Sequence, residues 1–515
     1  MLISGKSSKK VNVFIIAAIV LLVIMPKPVS AMGNCGYEGG ISSGGSQNQT
    51  IVSLEYQEVC VLSGKPFILK GELSIRTTNR TNSIRKTYTY NLENLSMNAT
   101  LKRTVVLETT TTEKSNGQAI EDTVLAAKPS EVVRIGDKTY TLKSHDMSIS
   151  ALVDKKPAIR YSAGNLWGKK TYQVSNGSSS GTVTVELIGN LYSYDQYWST
   201  TETGIINYIV QSEEIKGDTT DRWGGTGTVT LCASSTKQMK YVENLPDQIS
   251  FEGGYVETVY NNSILEYDFK MPEFDAEGIS TDRIIGIKDT IKMESFPVQK
   301  RLPAPNLAHL RGHWAENDIK ALFSLEVFSG DPASFNPAQY ISRQEFVAAL
   351  EKAAKEVADE TANTRTSITS RNKTREEKVE SPFIDVMPGN PYFESIIKAY
   401  KRGLVNGKGY DVFAPEDFVS LADAITMFIR AVGLEIMAPN PGAVTLFKDN
   451  DRIPAYARNA VYIAQRIGLV QGDDRGYIHA EEYITKDKAA ALINRFINYM
   501  RTGIQEDYRE RIIDF

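Results

Sequence analysis

A serine, an arginine and a glutamate stand together at Ser342, Arg343 and Glu345, within the stretch YISRQEF at residues 340–346. An arginine at a helix start is suited to holding an anion. Ser342 with Glu345 three residues on reads as a capping box, which makes Arg343 the first helical residue. A cation there meets backbone N–H groups that already carry partial positive charge. That repulsion disappears when a carboxylate or phosphate occupies the spot, so the guanidinium and the free N–H donors together read as an anion trap.

Bond-breaking chemistry is harder to assemble. Of four histidines, His145 alone falls in the first half of the chain, too few there for a Ser-His-Asp or Cys-His arrangement or for a multi-histidine metal site. His145, in KSHDMS, reads as a surface strand residue. No GxSxG, HExxH or Walker-type loop is present, and the pairs Gly39-Gly40, Gly44-Gly45 and Gly224-Gly225 read as turns. A glycosidase needs just two carboxylates, but Glu202, Glu213, Asp218 and Asp221 are too many candidates to single out a pair. The aromatic cluster from Tyr192 to Trp198 reads as a sugar platform or as the core of a β domain. The chain is therefore expected to be non-catalytic, without cofactor or metal.

The elements that position these residues belong to a modular chain, since 515 residues exceed one core. Residues 1–31 read as a secretory signal peptide: lysines precede an uncharged apolar run at 13–25, too short to span a bilayer, and Val29-Ser30-Ala31 follows. The formal charge of −4 becomes more negative once that segment's lysines leave, which argues against nucleic acid. Three cysteines, Cys35, Cys60 and Cys232, allow one disulfide of undetermined pairing and make a disulfide framework unexpected.

Residues 32–300 alternate in short runs of Thr, Val, Tyr and Ile bounded by turn residues, for example RTVVLETTTT from Arg103 and GTVTVELIG from Gly181. This half reads as all-β and sandwich-like or a Greek-key barrel, one or two domains with a split near residue 160.

After Pro303 the spacing becomes helical and a pattern recurs three times. Trp314 and Tyr456 each lie sixteen residues before a glycine, Gly330 and Gly472, and Pro391 beside Tyr392 holds that spacing to Gly407. Eleven or twelve residues further on come Ile341, Val419 and Ile484, each just before a second helix. Phe335 with Pro337 and Phe413 with Pro415 form a Phe-x-Pro turn in between, of which the third copy keeps Tyr477. Repeats are expected at 304–356, 381–436 and 444–500, with a surface insertion at 357–380 and a tail at 501–515.

This pattern resembles the S-layer homology domain family: an aromatic start, a G-[IL]-[IV]-x-G loop, an F-x-P turn and an [IV]-T-R-A-E-like helix start. The resemblance implies an all-α pseudo-threefold bundle that tethers a secreted protein to a pyruvylated secondary cell-wall polysaccharide bound to peptidoglycan. In that family the motif arginine meets the ketal carboxylate. Carried over, Arg343 is the strong contact, Lys486 a weaker one without bidentate geometry, and Leu421 none. Trp314, Gly330, Ser342 and Glu345 are expected around the first site, Trp314 alternatively as a core anchor. The family's opening aspartate is present as Asp385 and Asp449, whereas the first copy has His309. The implied whole is a wall-anchored surface protein displaying a β-rich S-layer or structural region, with other S-layer subunits as partners. A wall-anchored adhesin and a wall-anchored glycoside hydrolase are the alternatives.

Overall fold

The computed structural model describes residues 38–43, 51–80, 82–115, 117–176, 179–216, 219–244, 253–355, 380–439 and 442–508. The signal peptide, Cys35, Gly44-Gly45, Asp218 and nearly all of the insertion lie outside them.

The N-terminal half is a single antiparallel sheet. Its first strands are β1 (Ile41–Ser43), β2 (Ile51–Cys60), β3 (Phe67–Asn79), β4 (Ser83–Asn94) and β5 (Ala99–Glu113). Next come β6 (Gln118–Leu125), β7 (Ser130–Ile135), β8 (Lys138–Lys155), β9 (Arg160–Asn176) and β10 (Ser179–Asp195). The last are β11 (Ser199–Lys216), β12 (Thr219–Val242), β13 (Gly254–Phe274), β14 (Ser280–Glu294) and β15 (Val298–Arg301). Strands pair in chain order, except that β7 lies between β5 and β8 beyond the end of β6, and β15 pairs with β13.

The alternation allows two packed sheets or a Greek-key barrel, and one continuous sheet with strands paired mostly in chain order is found. Alternation demands that one face be covered without saying by what. Here the sheet curls so that its apolar face covers itself. Glu58 on β2, Arg103 on β5, Glu131 on β7 and Lys170 on β9 meet in the interior although most are not on adjacent strands. Around them pack Tyr56, Leu69, Tyr90, Val105, Tyr140, Leu265 and Phe269, all fully buried. The first described segment closes the curl, where Tyr208 Oη donates to the Glu38 carbonyl at 2.7 Å and Ser263 Oγ to the Ser42 carbonyl at 2.8 Å. Gly224-Gly225 is no turn but lies inside β12. A Cβ on Gly225 or Gly227 would collide with Met271 or Phe269, so glycine lets those side chains lie flat on the strand.

The C-terminal half is helical: α1 (Glu316–Ser324), α2 (Arg343–Ala353), α3 (Phe393–Lys401), α4 (Leu421–Val432), α5 (Arg458–Arg466), α6 (Lys486–Asn498) and α7 (Ile504–Tyr508). The three repeats are locked by a closed cycle of backbone bonds. Ile341 N donates to the Ile484 carbonyl, Ile484 N to Val419, and Val419 N to Ile341, at 3.0–3.3 Å. The β-branched positions held at constant spacing are therefore the ring that joins the repeats. Each preceding turn is clamped by the opening residue of its own repeat. Asp385 accepts from Phe413 N and Ala414 N, Asp449 from Ile478 N and His479 N, and His309 Nε2 bonds the Phe335 carbonyl at 2.9 Å.

The two halves dock through the C-terminal ends of α2, α4 and α6. Trp198 Nε1 donates to the Ala353 carbonyl at 2.8 Å, Ala158 N to Ala431 at 2.8 Å, and Ser199 Oγ to Met500 at 2.8 Å. Arg402 reaches the Pro157 carbonyl, and Arg501 lies over the Trp198 ring. Cations thus gather where helix C-termini place partial negative charge. Tyr194 and Trp198 are fully buried in this junction, within the cluster of the helical half and not in the core of the β half, so they fill neither of the two roles open to them. Cys60 and Cys232 are free thiols, and burial pushes that of Cys60 up to about 12. Among the described residues no helix is long and apolar enough to cross a membrane.

Candidate functional site

The helix start at Arg343 is built as its spacing predicts. Ser342 Oγ accepts from Glu345 N, and Glu345 Oε2 accepts from Ser342 N at 3.0 Å, a complete capping box. The N–H donors expected to be free are not. Arg343 N donates to the Asp417 carbonyl at 2.7 Å and Gln344 N to the Pro415 carbonyl at 3.0 Å. The same exchange recurs around the ring: Leu421 and Ala422 bond the carbonyls of Glu482 and Ala480, and Lys486 and Asp487 those of Gln339 and Pro337. Each second helix is capped by the turn of another repeat, a partner that spacing within one repeat cannot reveal.

That exchange redistributes the expected site residues. Arg343, only 6% exposed, reaches the second repeat, where Nη2 donates to the Asn406 carbonyl at 2.7 Å and Cζ lies 5.0 Å from the Phe413 ring centre. Burial pushes its pKa down, while the carboxylates of Asp423 and Asp417 oppose that shift. Asp423 in turn accepts from Tyr456 of the third repeat at 2.8 Å. Lys486 reaches the first repeat, where Nζ pairs with Glu345 Oε1 at 2.8 Å. Burial alone would raise the Glu345 carboxyl, but Lys486 and the Ser342 cap outweigh it and hold it below its ordinary value. Lys486 and Glu345 line a small cavity of about 50 Å³ walled by Phe328, Phe335 and Tyr392. Side chains of all three repeats meet there.

Trp314 is 62% exposed, so it is no core anchor. It donates to Asp487 Oδ2 at 3.0 Å, at the start of α6 and not of α2. Gly330 is exposed with φ +97°, at the end of the loop whose Val327, Phe328 and Ser329 line the Lys486 cavity. Ser342, Glu345 and Lys486 therefore come together, while Arg343 turns to the second repeat and Trp314, though bonded like Glu345 to the third, is not among the residues that line this cavity. Asn406, Asp423 and Phe328 were missed for the same reason. Tyr392 and Tyr456 carried a signal, since they stand at or beside the aligned aromatic position.

In the β half, Glu202, Glu213 and Asp221, the described carboxylates among those noted in the sequence, do not assemble. Glu202 is buried, Glu213 pairs with exposed Arg222, and Asp221 accepts from Ser280 Oγ at 2.5 Å. A different cluster does. Arg103 makes a two-pronged bond to Glu58 at 2.8 and 2.9 Å and a third to Glu131 at 2.9 Å, while Lys170 bridges Glu131 and Glu38. Burial pushes Glu58 upward. In Glu131 the same push is outweighed by Arg103 and Lys170, and the carboxyl stays well below its usual range. The cavity beside them holds about 40 Å³, room for water.

His145, expected on the surface, is buried against this cluster, 4.0 Å from Glu38. Burial and the Lys170 ammonium push its imidazole down to about 4, with Arg103 adding to the shift and Glu38 and Glu131 opposing it. The unfolded value is about 6.5. Between these limits the unfolded chain binds the proton that the folded chain refuses, so stability falls as pH drops from about 6.5 to 4. A His145→Asn variant should show a shallower loss of melting temperature across that window than the parent; parallel curves would refute the assignment. Among the described residues no group of three His, Cys, Asp or Glu side chains is arranged to hold a metal.

Comparison with known proteins agrees with this architecture. The S-layer homology domain model matches residues 308–347 and 383–425, the first and second repeats, and the third repeat lies beyond the matched segments. The C-terminal part thus carries S-layer homology segments, which indicate attachment at the cell surface or cell wall. Exoglucanase XynX of Acetivibrio thermocellus is 26% identical over 251 residues, 46% of this chain and 21% of the relative. An amylopullulanase of Thermoanaerobacterium thermosulfurigenes is 27% identical over 187 residues, 36% of this chain and 9% of its own. A protein named as a cell surface protein, from Thermoanaerobacter kivui, is 27% identical over 122 residues, 23% of this chain and 16% of that relative. The chain spans about a fifth or less of these proteins. The expectation that it is not an enzyme does not stand, because relatives of this kind carry enzyme names.

Proposed function

We propose that the three repeats, 304–356, 381–436 and 444–500, act as one pseudo-threefold anchor that holds the chain non-covalently to a pyruvylated secondary cell-wall polysaccharide. The β half is then displayed outward, as a surface-structural or S-layer region. The observation that carries this reading is the cavity at Lys486, where an ammonium, three aromatic walls and residues of all three repeats converge. A ketal carboxylate entering there competes with Glu345 for Lys486. Glu345 can release the ammonium without being stranded, because its other oxygen stays on the Ser342 N–H and hydroxyl. Arg343, already committed to Asn406, then serves chiefly to hold the second repeat in place, which reverses the ranking that the resemblance implies.

Sedimentation of the full chain with wall sacculi, before and after acid extraction of the secondary polymer, tests this. The parent should pellet with unextracted walls alone. Lys486→Gln should bind about 10- to 100-fold more weakly, the loss expected for a charge-assisted hydrogen bond. Equal pelleting with extracted walls would sink the proposal.

A second reading, a wall-anchored glycoside hydrolase, is favoured by the enzyme names of the relatives. Its test is release of reducing ends from glucans by the purified chain.

A further inference from the structure

Tyr340, Phe418 and Tyr483 occupy one position in each repeat, immediately before the residues of the backbone ring. The closure of that ring brings the three side chains into a single cluster. Ring centres lie 5.3 Å apart for Tyr340 and Phe418, 5.9 Å for Phe418 and Tyr483, and 6.3 Å for Tyr340 and Tyr483. Each ring is 44–55% exposed. Large aromatics of this kind ordinarily bury most of their surface, so three half-exposed rings in tilted and edge-to-face contact form an apolar patch that asks for a ligand. Local capping does not account for them: the residue that precedes the N-cap Ser342 is Ile341, and Tyr340 stands one further out, away from the helix.

We infer that this triad is a binding platform for one uncharged pyranose ring of a glycan. Two features select that occupant. The first is size, because three clustered rings present far less than the roughly 800 Å² per partner that a stable protein interface needs, yet match the apolar face of a single sugar. The second is the rim. Gln339, Asp417 and Glu482 each precede one ring, and all three are exposed. Amide and carboxylate oxygens accept from sugar hydroxyls, and Asp417 is matched by Lys408 at 3.0 Å, so the rim offers little net charge to favour an ionised sugar. The platform is thus chemically distinct from the cationic cavity at Lys486 and does not depend on it. The N-termini of α2, α4 and α6 share its end of the bundle, whereas their C-termini dock on the sheet. The triad therefore faces away from the β half.

The test is saturation-transfer NMR on the full chain with uncharged hexasaccharides of glucose, mannose and N-acetylglucosamine as probes. Transfer to ring protons of at least one probe is expected, with a dissociation constant on the order of millimolar. It should be lost in Tyr340→Ala/Phe418→Ala, retained in Tyr340→Phe, and unchanged in Lys486→Gln. The last arm separates this site from the wall anchor. Phe418→Leu keeps apolar bulk without an aromatic face and should also lose transfer, which guards against a folding defect in the double variant. Absence of transfer from all three probes, or equal transfer in parent and double variant, overturns the inference. So does concentration-dependent self-association of the parent that the double variant abolishes, since a second copy would then be the occupant.

Discussion

Replacing Arg103 by alanine should lower the unfolding free energy of the β half by about 3–5 kcal/mol, the cost of breaking a buried ion pair by removing one partner. Three carboxylates would remain, Glu38, Glu58 and Glu131, facing Lys170 alone in a region with 4% exposure at Arg103 itself. The Tyr90 ring would lose the guanidinium 4.9 Å from its centre. Denaturant titration followed by a β-sheet signal measures the effect. Arg103→Lys should restore only part of it, because a point charge cannot reproduce the two-pronged bond to Glu58. A midpoint shift equivalent to less than about 0.5 kcal/mol, the ordinary range for surface substitutions, would show that the network contributes little. The size of the expected effect follows from its position: these groups join strands that are remote along the sheet, so the charge network and the curl stand or fall together.

Trp198→Ala should separate the two halves. The indole is fully buried, donates to the Ala353 carbonyl, packs edge-on against Tyr197 at 5.0 Å and lies under Arg501 at 4.6 Å. Truncating a buried aromatic of this size costs about 3–5 kcal/mol, and here the loss falls on a junction and not on either core. Calorimetry should therefore resolve two thermal transitions where the parent gives one, and the shift should concentrate in the coupling between them. A single transition at the parent temperature would mean that the remaining contacts, among them Ala158 to Ala431, Ser199 to Met500 and Arg402 to Pro157, suffice alone.

The helical repeats were legible because their signals are spacings. Ser342 and Glu345 predict a capping box and make one, and the held positions Ile341, Val419 and Ile484 prove to be the ring itself. Which repeat caps which was not legible, since the bond from Arg343 N to Asp417 crosses more than seventy residues and leaves no periodic trace. Trp314 shows the limit from the other side. Its aromatic type and its distance to Gly330 mark a repeat start, but the partner, Asp487, lies in the third repeat. In the β half, Arg103 in β5 and Lys170 in β9 fall in phase with the covered face, at odds with their charge, and the sequence reading passed over both. Only the fold supplies the acids that meet them. The difference between one curled sheet and two packed ones is invisible to a pattern that records burial but not its source.

The shared orientation of α2, α4 and α6 has a mechanical consequence. All three run from the backbone ring at one end to the sheet at the other, and carbonyls at or just past their C-terminal ends are points of attachment. Drag on the sheet is therefore carried along three helix axes side by side, each loaded lengthwise, and meets at the ring. A tether made of one linker would yield at its weakest residue. This one shares tension among three struts, so that failure requires the junction to shear at several hydrogen bonds at once.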